Sequence, residues 1–219
     1  MQLALFNGSP RYKKSNSKLL IEHFLTGYGR ACAGSVPVHY FASDKREAGV
    51  STFQDAEIVI IIFPLYTDCM PGIVKEFFED ISELALTSSK KIGFIVQSGF
   101  PEAIHSTFVE RYLKKLVMRL KCEYLGTVIK GGVEGIQRMP PSMTRKLFTR
   151  FEELGEQFAK TQTFSPDIIV QMRRPYKMSF FRRLLFSTLS KTGITNFYWN
   201  SHLKKNGAFE NRFARPYMN

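Results

Sequence analysis

The sequence predicts a doubly wound α/β domain built on a five-stranded parallel sheet. Five short segments rich in β-branched and aromatic residues alternate with longer segments whose apolar residues recur every three or four positions. Such alternation of strands and helices favours right-handed crossovers between parallel strands. The 219 residues, of which 44% are apolar, suit one domain of this kind, with or without an appendage.

The predicted strands cover residues 2–6, 36–41, 57–63, 91–97 and 124–130. The third and fourth strands are almost continuously apolar, reading IVIIIF and IGFIV in their central parts. This pattern is typical of strands that helices cover on both faces, because neither face then presents polar side chains to water. These two strands therefore favour a parallel sheet.

Helices are predicted between the strands, at residues 17–28, 71–81, 102–120 and 142–159. Each carries an apolar stripe at the spacing of one helix face. Pro71 stands where a first helical residue is expected, since its fixed φ suits that position. Residues 42–56 are short and polar, and only a small helix is predicted there.

Small, polar or glycine-rich segments follow four of the five predicted strands. They cover residues 7–17, 64–72, 97–101 and 130–135. In a doubly wound sheet, ligands bind beyond the carboxyl ends of the strands, at the point where the strand order reverses. We therefore predict a ligand site at this edge of the sheet.

The first of these segments, NGSPRYKKSNS, is predicted to bind a phosphate group. Ser9, Ser15 and Ser17 offer hydroxyl donors. Asn16 adds an amide, and Arg11 can add charge-assisted hydrogen bonds. The helix that follows presents unpaired N–H groups at its start. The segment is neither a Walker A loop nor a G-x-G-x-x-G turn. A simpler interpretation stays open, in which Ser15 or Asn16 only caps the helix.

The second segment, PLYTDCMPG, combines flat or adaptable apolar side chains with backbone N–H groups. A planar tricyclic ring can stack on such a surface while its polar edge takes backbone hydrogen bonds. The alternative is a rigid turn that leads into a helix. After the fourth strand, Gly99 permits a close backbone approach and Phe100 can line a pocket.

Together, the two segments resemble a known family. NGSPRYKKSNS and FPLYTDCMPGIVKEFFE are similar to the motifs of the NAD(P)H-dependent FMN reductases, within the flavodoxin-like superfamily. In the second motif the matching residues are Pro64, Tyr66, Pro71 and Lys75. The resemblance covers about the first 160 residues and implies a flavodoxin-like FMN-binding domain at residues 1–162, with a sheet of order 2-1-3-4-5. It also implies that the protein binds FMN and uses NAD(P)H as co-substrate.

The resemblance assigns flavin contacts to particular residues. Those implied to hold the FMN phosphate are Ser9, Arg11, Ser15, Asn16 and Ser17. Those implied to contact the ribityl chain and the isoalloxazine ring are Pro64, Leu65, Tyr66 and Thr67, with Met70 nearby. The far edge of the ring is assigned to Ser98, Gly99 and Phe100. No metal is expected, because the four-cysteine cluster of related iron–sulfur flavoproteins is absent.

The implied activity is a two-step exchange of electrons. NAD(P)H reduces bound FMN, which then reduces a small-molecule acceptor: a quinone, a nitro or azo compound, or free flavin. Because the flavin supplies the reactive chemistry, no catalytic side chain is assigned. His105 follows the loop after the fourth strand and is considered as a neighbour of the flavin edge. Two alternatives stay open: a non-enzymatic flavodoxin-like electron carrier, and a flavodoxin-like scaffold that has lost its cofactor.

The positive charge is concentrated near the C-terminus. Residues 165–219 contain ten Lys/Arg and two Asp/Glu, a net +8 out of +12 for the whole chain. Residues 163–219 are predicted to form a basic, partly helical extension that packs on the domain or on a partner subunit of a homodimer. Two other interpretations are an interfacial helix on anionic lipid and nucleic-acid binding. Of the three, packing is favoured, and no nucleic-acid partner is expected.

The sequence also carries expectations about location. No run of eighteen apolar residues occurs, and polar Asn7 and Gly8 interrupt the N-terminal apolar segment too early for a signal peptide. The three cysteines are far apart and form no C-x-x-C motif. We therefore expect an intracellular, cytoplasmic protein.

Overall fold

Five strands form one parallel sheet in the computed structural model, which describes residues 2–84, 90–193, 196–215 and 217, with only the backbone for Tyr198. The strands are β1 (Leu3–Asn7), β2 (Val38–Tyr40), β3 (Ile58–Pro64), β4 (Lys91–Gln97) and β5 (Glu123–Lys130). Their order is β2-β1-β3-β4-β5, and every pairing is parallel. The predicted sheet and its order are confirmed.

Helices connect the strands as predicted. They are α1 (Asn16–Ala31), α2 (Arg46–Asp55), α3 (Gly72–Ser82), α4 (Thr107–Arg119), α5 (Pro141–Thr161), α6 (Pro166–Met172), α7 (Phe180–Lys191) and α8 (Phe197–Lys205). Most boundaries differ from the prediction by one to three residues, and the start of α4 differs by five. Pro71 is the N-cap of α3 rather than its first residue. The first turn expected in α4 is a separate 3₁₀ turn, Ala103–Ser106.

The core has two layers, one on each face of the sheet. β3 supplies both layers by strict alternation: Ile60 and Ile62 pack in one, Ile61 and Phe63 in the other. The first layer also takes its residues from α1, α5 and α6, and the second from α2, α3 and α4. Coverage on both faces explains why the β3 sequence is almost continuously apolar.

The two layers locate the point where the strand order reverses. β1 leads into α1 on one face of the sheet, whereas its neighbour β3 leads into α3 on the opposite face. The loops after β1 and β3 therefore diverge and leave a crevice at the carboxyl edge. This is where doubly wound sheets bind their ligands.

Helices α1 and α5 cross at two facing glycines. A Cβ added to Gly27 would overlap the backbone carbonyl of Glu152, and one added to Gly155 would overlap the backbone carbonyl of Phe24. Neither overlap can be relieved by a side-chain rotation, because the obstacle is backbone. The absence of side chains at these two positions thus sets how closely α1 approaches α5.

The chain divides into two compact units, Met1–Lys177 and Met178–Asn219. The first unit includes α6, since Phe164, Ile168 and Met172 are buried in the core layer of α1 and α5. It therefore extends past the sequence-based boundary at residues 162 and 163. The second unit holds α7 and α8. Among the described residues, no helix has the length and apolar character needed to cross a bilayer.

Candidate cofactor site

Backbone hydrogen bonds join the segments that follow the strands. The N–H of Gly8 donates to the carbonyl of Ile62 at 2.8 Å. Across the next strand pair, the N–H of Leu65 donates to the backbone carbonyl of Gln97 at 2.8 Å. The edge then continues from Ser98, whose N–H donates to the carbonyl of Lys130 at 3.0 Å. The four predicted segments thus meet at one edge of the sheet.

The loop after β1 is held by side-chain hydrogen bonds from Asn7. This residue is fully buried; its Oδ1 accepts from the N–H of Ser9 at 3.0 Å, and its Nδ2 donates to Ser15 Oγ at 3.3 Å. Ser9 Oγ in turn accepts from the N–H of Arg11 at 3.3 Å. Asn7 therefore fixes both ends of the loop, and the sequence analysis assigned it no role.

Ser15 is the N-cap of α1. Its Oγ accepts from the N–H of Lys18 at 3.1 Å, which confirms one of the two caps that the sequence allowed. In these contacts the Ser9 and Ser15 oxygens act as acceptors, so each hydroxyl hydrogen can still donate to an incoming anion. The first N–H groups of α1 have no acceptor within the helix and favour the same occupant.

Asn16 connects this loop to the loop after β5. Its Nδ2 donates to the carbonyl of Val133 at 2.8 Å, and its Oδ1 accepts from Gln137 Nε2 at 3.0 Å. The same Gln137 amide lies 2.9 Å from the carbonyl of Lys14. The Asn16 amide therefore ties two loops together. Sequence reasoning missed Gln137, since no local pattern links residues so far apart in the chain.

Ser17 carries a buried hydroxyl that is left without a partner in the described part of the chain. Its exposed fraction is 0%, and its Oγ makes no hydrogen bond with any residue that the structure describes. A buried polar group without a hydrogen bond destabilises the fold, so native proteins rarely retain one without a reason. A phosphate oxygen at the start of α1 would accept this hydrogen bond. The residues of the loop therefore fit a phosphate group.

The charge of the loop suits an anion as well. Arg11, Lys13 and Lys14 are all exposed beside the start of α1. The pKa of Lys13 is raised, because its ammonium hydrogen-bonds to the phenol of Tyr12, so the side chain stays charged at neutral pH. Three clustered cations raise the local concentration of a dianionic ligand.

The loop after β3 is held by its backbone. The N–H of Tyr66 donates to the carbonyl of Cys69, and that of Cys69 to the carbonyl of Tyr66, both at 3.0 Å. Between them, Thr67 and Asp68 have φ values of 49° and 60°. A tight turn with two positive φ values normally takes Asn or Gly, so the β-branched Thr67 is strained here.

Tyr66 is the part of this loop that is available for stacking, with 43% of its surface exposed. Pro64 ends β3 and is buried, and Leu65 is half-buried against the core. Met70 is buried in the core layer that contains α3. Of the four apolar residues that this loop was predicted to place against the ring, Tyr66 is therefore the most exposed.

The loop after β4 places an aromatic ring at the same edge. Phe100 is 58% exposed, and its ring centroid lies 4.8 Å from that of His105. Ser98 is buried, and its Oγ donates to the carbonyl of Phe100 at 3.1 Å. A Cβ on Gly131 would overlap that same carbonyl, so the loops after β4 and β5 pack backbone to backbone. A Cβ on Gly99 would meet only ordinary contacts.

The segment after α6 also reaches this edge, which the sequence did not indicate. The N–H groups of Ala103 and Ile104 donate to the carbonyls of Pro175 and Tyr176 at 3.0 and 3.1 Å. Lys130 Nζ lies 3.5 Å from the carbonyl of Arg174, and burial lowers the pKa of Lys130. These bonds hold the segment beside the loop that carries Phe100.

Comparisons with known proteins establish the fold. No family model and no curated protein matches the sequence. The chain is similar in structure to an NADPH-quinone reductase from P. pentosaceus (TM-score 0.53, 16% identity, 70% of this chain and 96% of that one). It is also similar to an NADH:FMN oxidoreductase in its apo form (TM-score 0.56, 14% identity, 80% of this chain and 96% of that one). A third similar structure is the FMN-dependent NADH-azoreductase of Bacillus anthracis str. Ames Ancestor in complex with FMN (TM-score 0.52, 17% identity, 73% of this chain and 100% of that one). The chain has a flavodoxin-like fold, as the resemblance implied.

Proposed function

We propose that this protein is an FMN-dependent oxidoreductase that transfers electrons from NAD(P)H to a small-molecule acceptor. The observation that carries the proposal is the unpartnered hydroxyl of Ser17, buried at the start of α1. It directly follows a serine-rich loop at the strand-order reversal, and this loop carries three exposed cations. This combination fits a ligand with a terminal phosphate.

The chain offers separate groups for the two ends of the cofactor. Ser9, Ser15 and Ser17, with the first N–H groups of α1, would hold the phosphate, and Arg11 would add a charge-assisted contact. Tyr66 and Phe100 would contact the ring system from two loops of the same edge. Asn16 and Asn7 hold these loops in place through their side chains.

The protein's contribution to the proposed reaction is to bind the flavin and to orient it toward the co-substrate. FMN, when bound, accepts a hydride and releases electrons singly or in pairs, so no acid–base or nucleophilic side chain is needed. The Tyr66–Cys69 turn fixes one wall of the crevice through two backbone bonds, and the Ser98 hydroxyl fixes the loop that carries Phe100.

The similar structures support the redox assignment. A quinone reductase, an azoreductase and a flavin oxidoreductase have the same fold as this chain, and one of them binds FMN. Quinones, azo compounds, nitro compounds and free flavin are accordingly the proposed acceptors. We further expect the protein to be cytoplasmic and to form a homodimer. Light scattering of the purified protein measures its oligomeric state directly.

The test is anaerobic reduction of the FMN-loaded protein. After loading with FMN and desalting, the protein should retain the visible absorption of oxidised flavin, and NADH or NADPH alone should bleach it. Loss of all flavin on desalting would contradict the proposal. Bleaching that requires a separate reductase would instead identify the alternative, a flavodoxin-like electron carrier, which the basic charge of the chain makes less suitable. Retained bleaching upon Arg11→Ala with weaker FMN retention would support the phosphate assignment.

A further inference from the structure

Helix α7 exposes nearly all of its apolar residues. No residue of this helix is buried. Phe180 and Phe181 are 72% and 79% exposed, and Leu184, Leu185 and Phe186 are each more than half exposed. Soluble proteins rarely keep a contiguous apolar surface of this kind open to water unless a partner covers it. The occupant of this surface can be inferred from its shape and charge.

The apolar residues of α7 form continuous rows. Phe181, Leu185 and Leu189 recur every four positions and lie along one line of the helix, with Phe180 and Leu184 in the adjacent row. Arg183 and Ser187 are two positions away from members of the first row, which places them on the opposite side. The helix is therefore amphipathic, with a broad apolar face and a narrower polar face.

The charge around this helix is strongly positive. Residues 178–219 contain seven Lys/Arg and one Asp/Glu, which is Glu210, giving a net +6. Two of the cations, Arg182 and Arg183, lie within α7 itself. The partner should consequently be anionic. A second copy of this chain is poorly matched, since its remaining residues 1–177 also have a net charge of +6.

The aliphatic residues select among the anionic partners. Nucleic acid can contact cationic side chains through its phosphates and can stack its bases on aromatic rings. It offers no apolar region in which Leu184, Leu185 and Leu189 could be buried. A membrane surface rich in anionic lipid offers both: headgroups for the arginines and an acyl boundary for the apolar rows. In α8, Trp199 is 63% exposed, and tryptophan favours the same interfacial zone.

We propose that the unit Met178–Asn219 binds the surface of anionic membranes, with α7 lying in the plane of the interface. The apolar rows enter the boundary between headgroups and acyl chains, while Arg182 and Arg183 contact the lipid phosphates. This inference does not depend on the flavin site, because every residue that carries it lies after Lys177.

Co-sedimentation of the full chain with vesicles tests the proposal. Vesicles of phosphatidylcholine with phosphatidylserine should pellet the protein, and vesicles of phosphatidylcholine alone should pellet much less. The variant Arg182→Gln/Arg183→Gln should lower the partition coefficient about 25-fold, since each cation near an anionic surface contributes a factor of about five. The variant Phe181→Ser/Leu185→Ser should lower it roughly tenfold or more. Neither pair is buried, so both variants should fold.

A matched variant controls for total charge. Lys114→Gln/Lys115→Gln removes two exposed charges from α4 in the first unit and should leave the partition coefficient within about twofold of the parent. Three results would overturn the proposal. One is no pelleting with phosphatidylserine vesicles. The second is an equal loss in the α4 and α7 arginine variants. The third is an unchanged partition coefficient for Phe181→Ser/Leu185→Ser combined with tight binding of RNA, which would assign the surface to nucleic acid.

Discussion

The loops after β1 and β3 lie at the same edge of the sheet but are built in different ways. In the first loop, Asn7, Ser15 and Asn16 are buried, and side-chain hydrogen bonds fix the path of the chain. In the second loop, Tyr66 is exposed, and two backbone bonds close a strained turn. The first loop is thus a polar site with defined hydrogen-bond donors, whereas the second loop presents an exposed aromatic ring on a fixed turn.

The difference separates two kinds of recognition. Defined donors at a helix start discriminate a phosphate from a neutral group, because each hydrogen bond depends on the charge and position of its acceptor. An exposed ring on a fixed turn contributes contact area, which is nearly independent of the ligand's charge. Substitutions in the first loop should therefore affect FMN specifically, and those in the second should affect FMN and riboflavin alike.

The largest effect is expected at the helix that carries the end of the first loop. Gly27→Ala puts a Cβ against the backbone carbonyl of Glu152 and must push α1 away from α5. We expect a loss of about 3 kcal/mol in the free energy of unfolding, measured by urea denaturation. Gly29→Ala, on the same helix but in open space, is the control and should instead stabilise by roughly 0.5–1 kcal/mol. Equal effects of the two substitutions would refute the close crossing.

The second-largest effect is expected when the buried, unpartnered hydroxyl of Ser17 is removed. Ser17→Ala should weaken FMN binding roughly 30-fold, the equivalent of a hydrogen bond to a charged group, and leave riboflavin binding unchanged. It should also raise the free energy of unfolding of the flavin-free protein by about 1 kcal/mol, because a buried donor without an acceptor is eliminated. Fluorescence titration and urea denaturation measure the two quantities. A gain in stability with unchanged FMN affinity would show that Ser17 does not face the phosphate.

A smaller effect is expected from the exposed ring of the second loop. Tyr66→Ala should weaken FMN and riboflavin binding by the same factor of roughly ten, since the lost contact is with the ring that both ligands share. Stability should change by less than about 0.5 kcal/mol, because the side chain is exposed. A loss confined to FMN would place Tyr66 near the phosphate and reverse the distinction between the two loops.

The smallest effect concerns the strained turn. Thr67→Asn replaces a β-branched residue at φ 49° by one that tolerates this conformation, and should stabilise the protein by roughly 0.5–1 kcal/mol. FMN affinity should stay within about twofold of the parent, because the backbone path is kept. Thr67→Asn and Ser17→Ala are thus both expected to stabilise, and only the second should cost FMN affinity. A destabilised Thr67→Asn variant would mean that the threonine side chain makes a compensating contact.

The strands and the parallel sheet were predictable because each signal is local, whereas the strand order was implied only by the family resemblance. Five apolar segments, their alternation with amphipathic stretches and the polar segments at their ends can all be read within short windows of sequence. The edge strand β2 is shorter than predicted, because it pairs only with β1 through Val38 to Tyr40. The core position of α6 was not predictable, since it depends on packing against distant helices.

The sequence predicted which loops form the candidate site, but not the hydrogen bonds that join these loops to one another. Ser15 as a cap followed from residue type and position and is confirmed, whereas Ser17 as a phosphate donor stays a prediction. The bond between Asn16 and Gln137, and the placement of Pro175 and Tyr176 beside Ala103, join residues that are distant in sequence. Single-sequence patterns contain no information on such pairs.

The most direct test of the phosphate site is the difference in affinity between FMN and riboflavin for the unmodified protein. The two ligands share the ring and the ribityl chain and differ only in the phosphate. Several charge-assisted hydrogen bonds at the start of α1 should make FMN bind at least about a hundredfold more tightly, as measured by quenching of flavin fluorescence. Equal dissociation constants for the two ligands would contradict a phosphate site in the loop after β1.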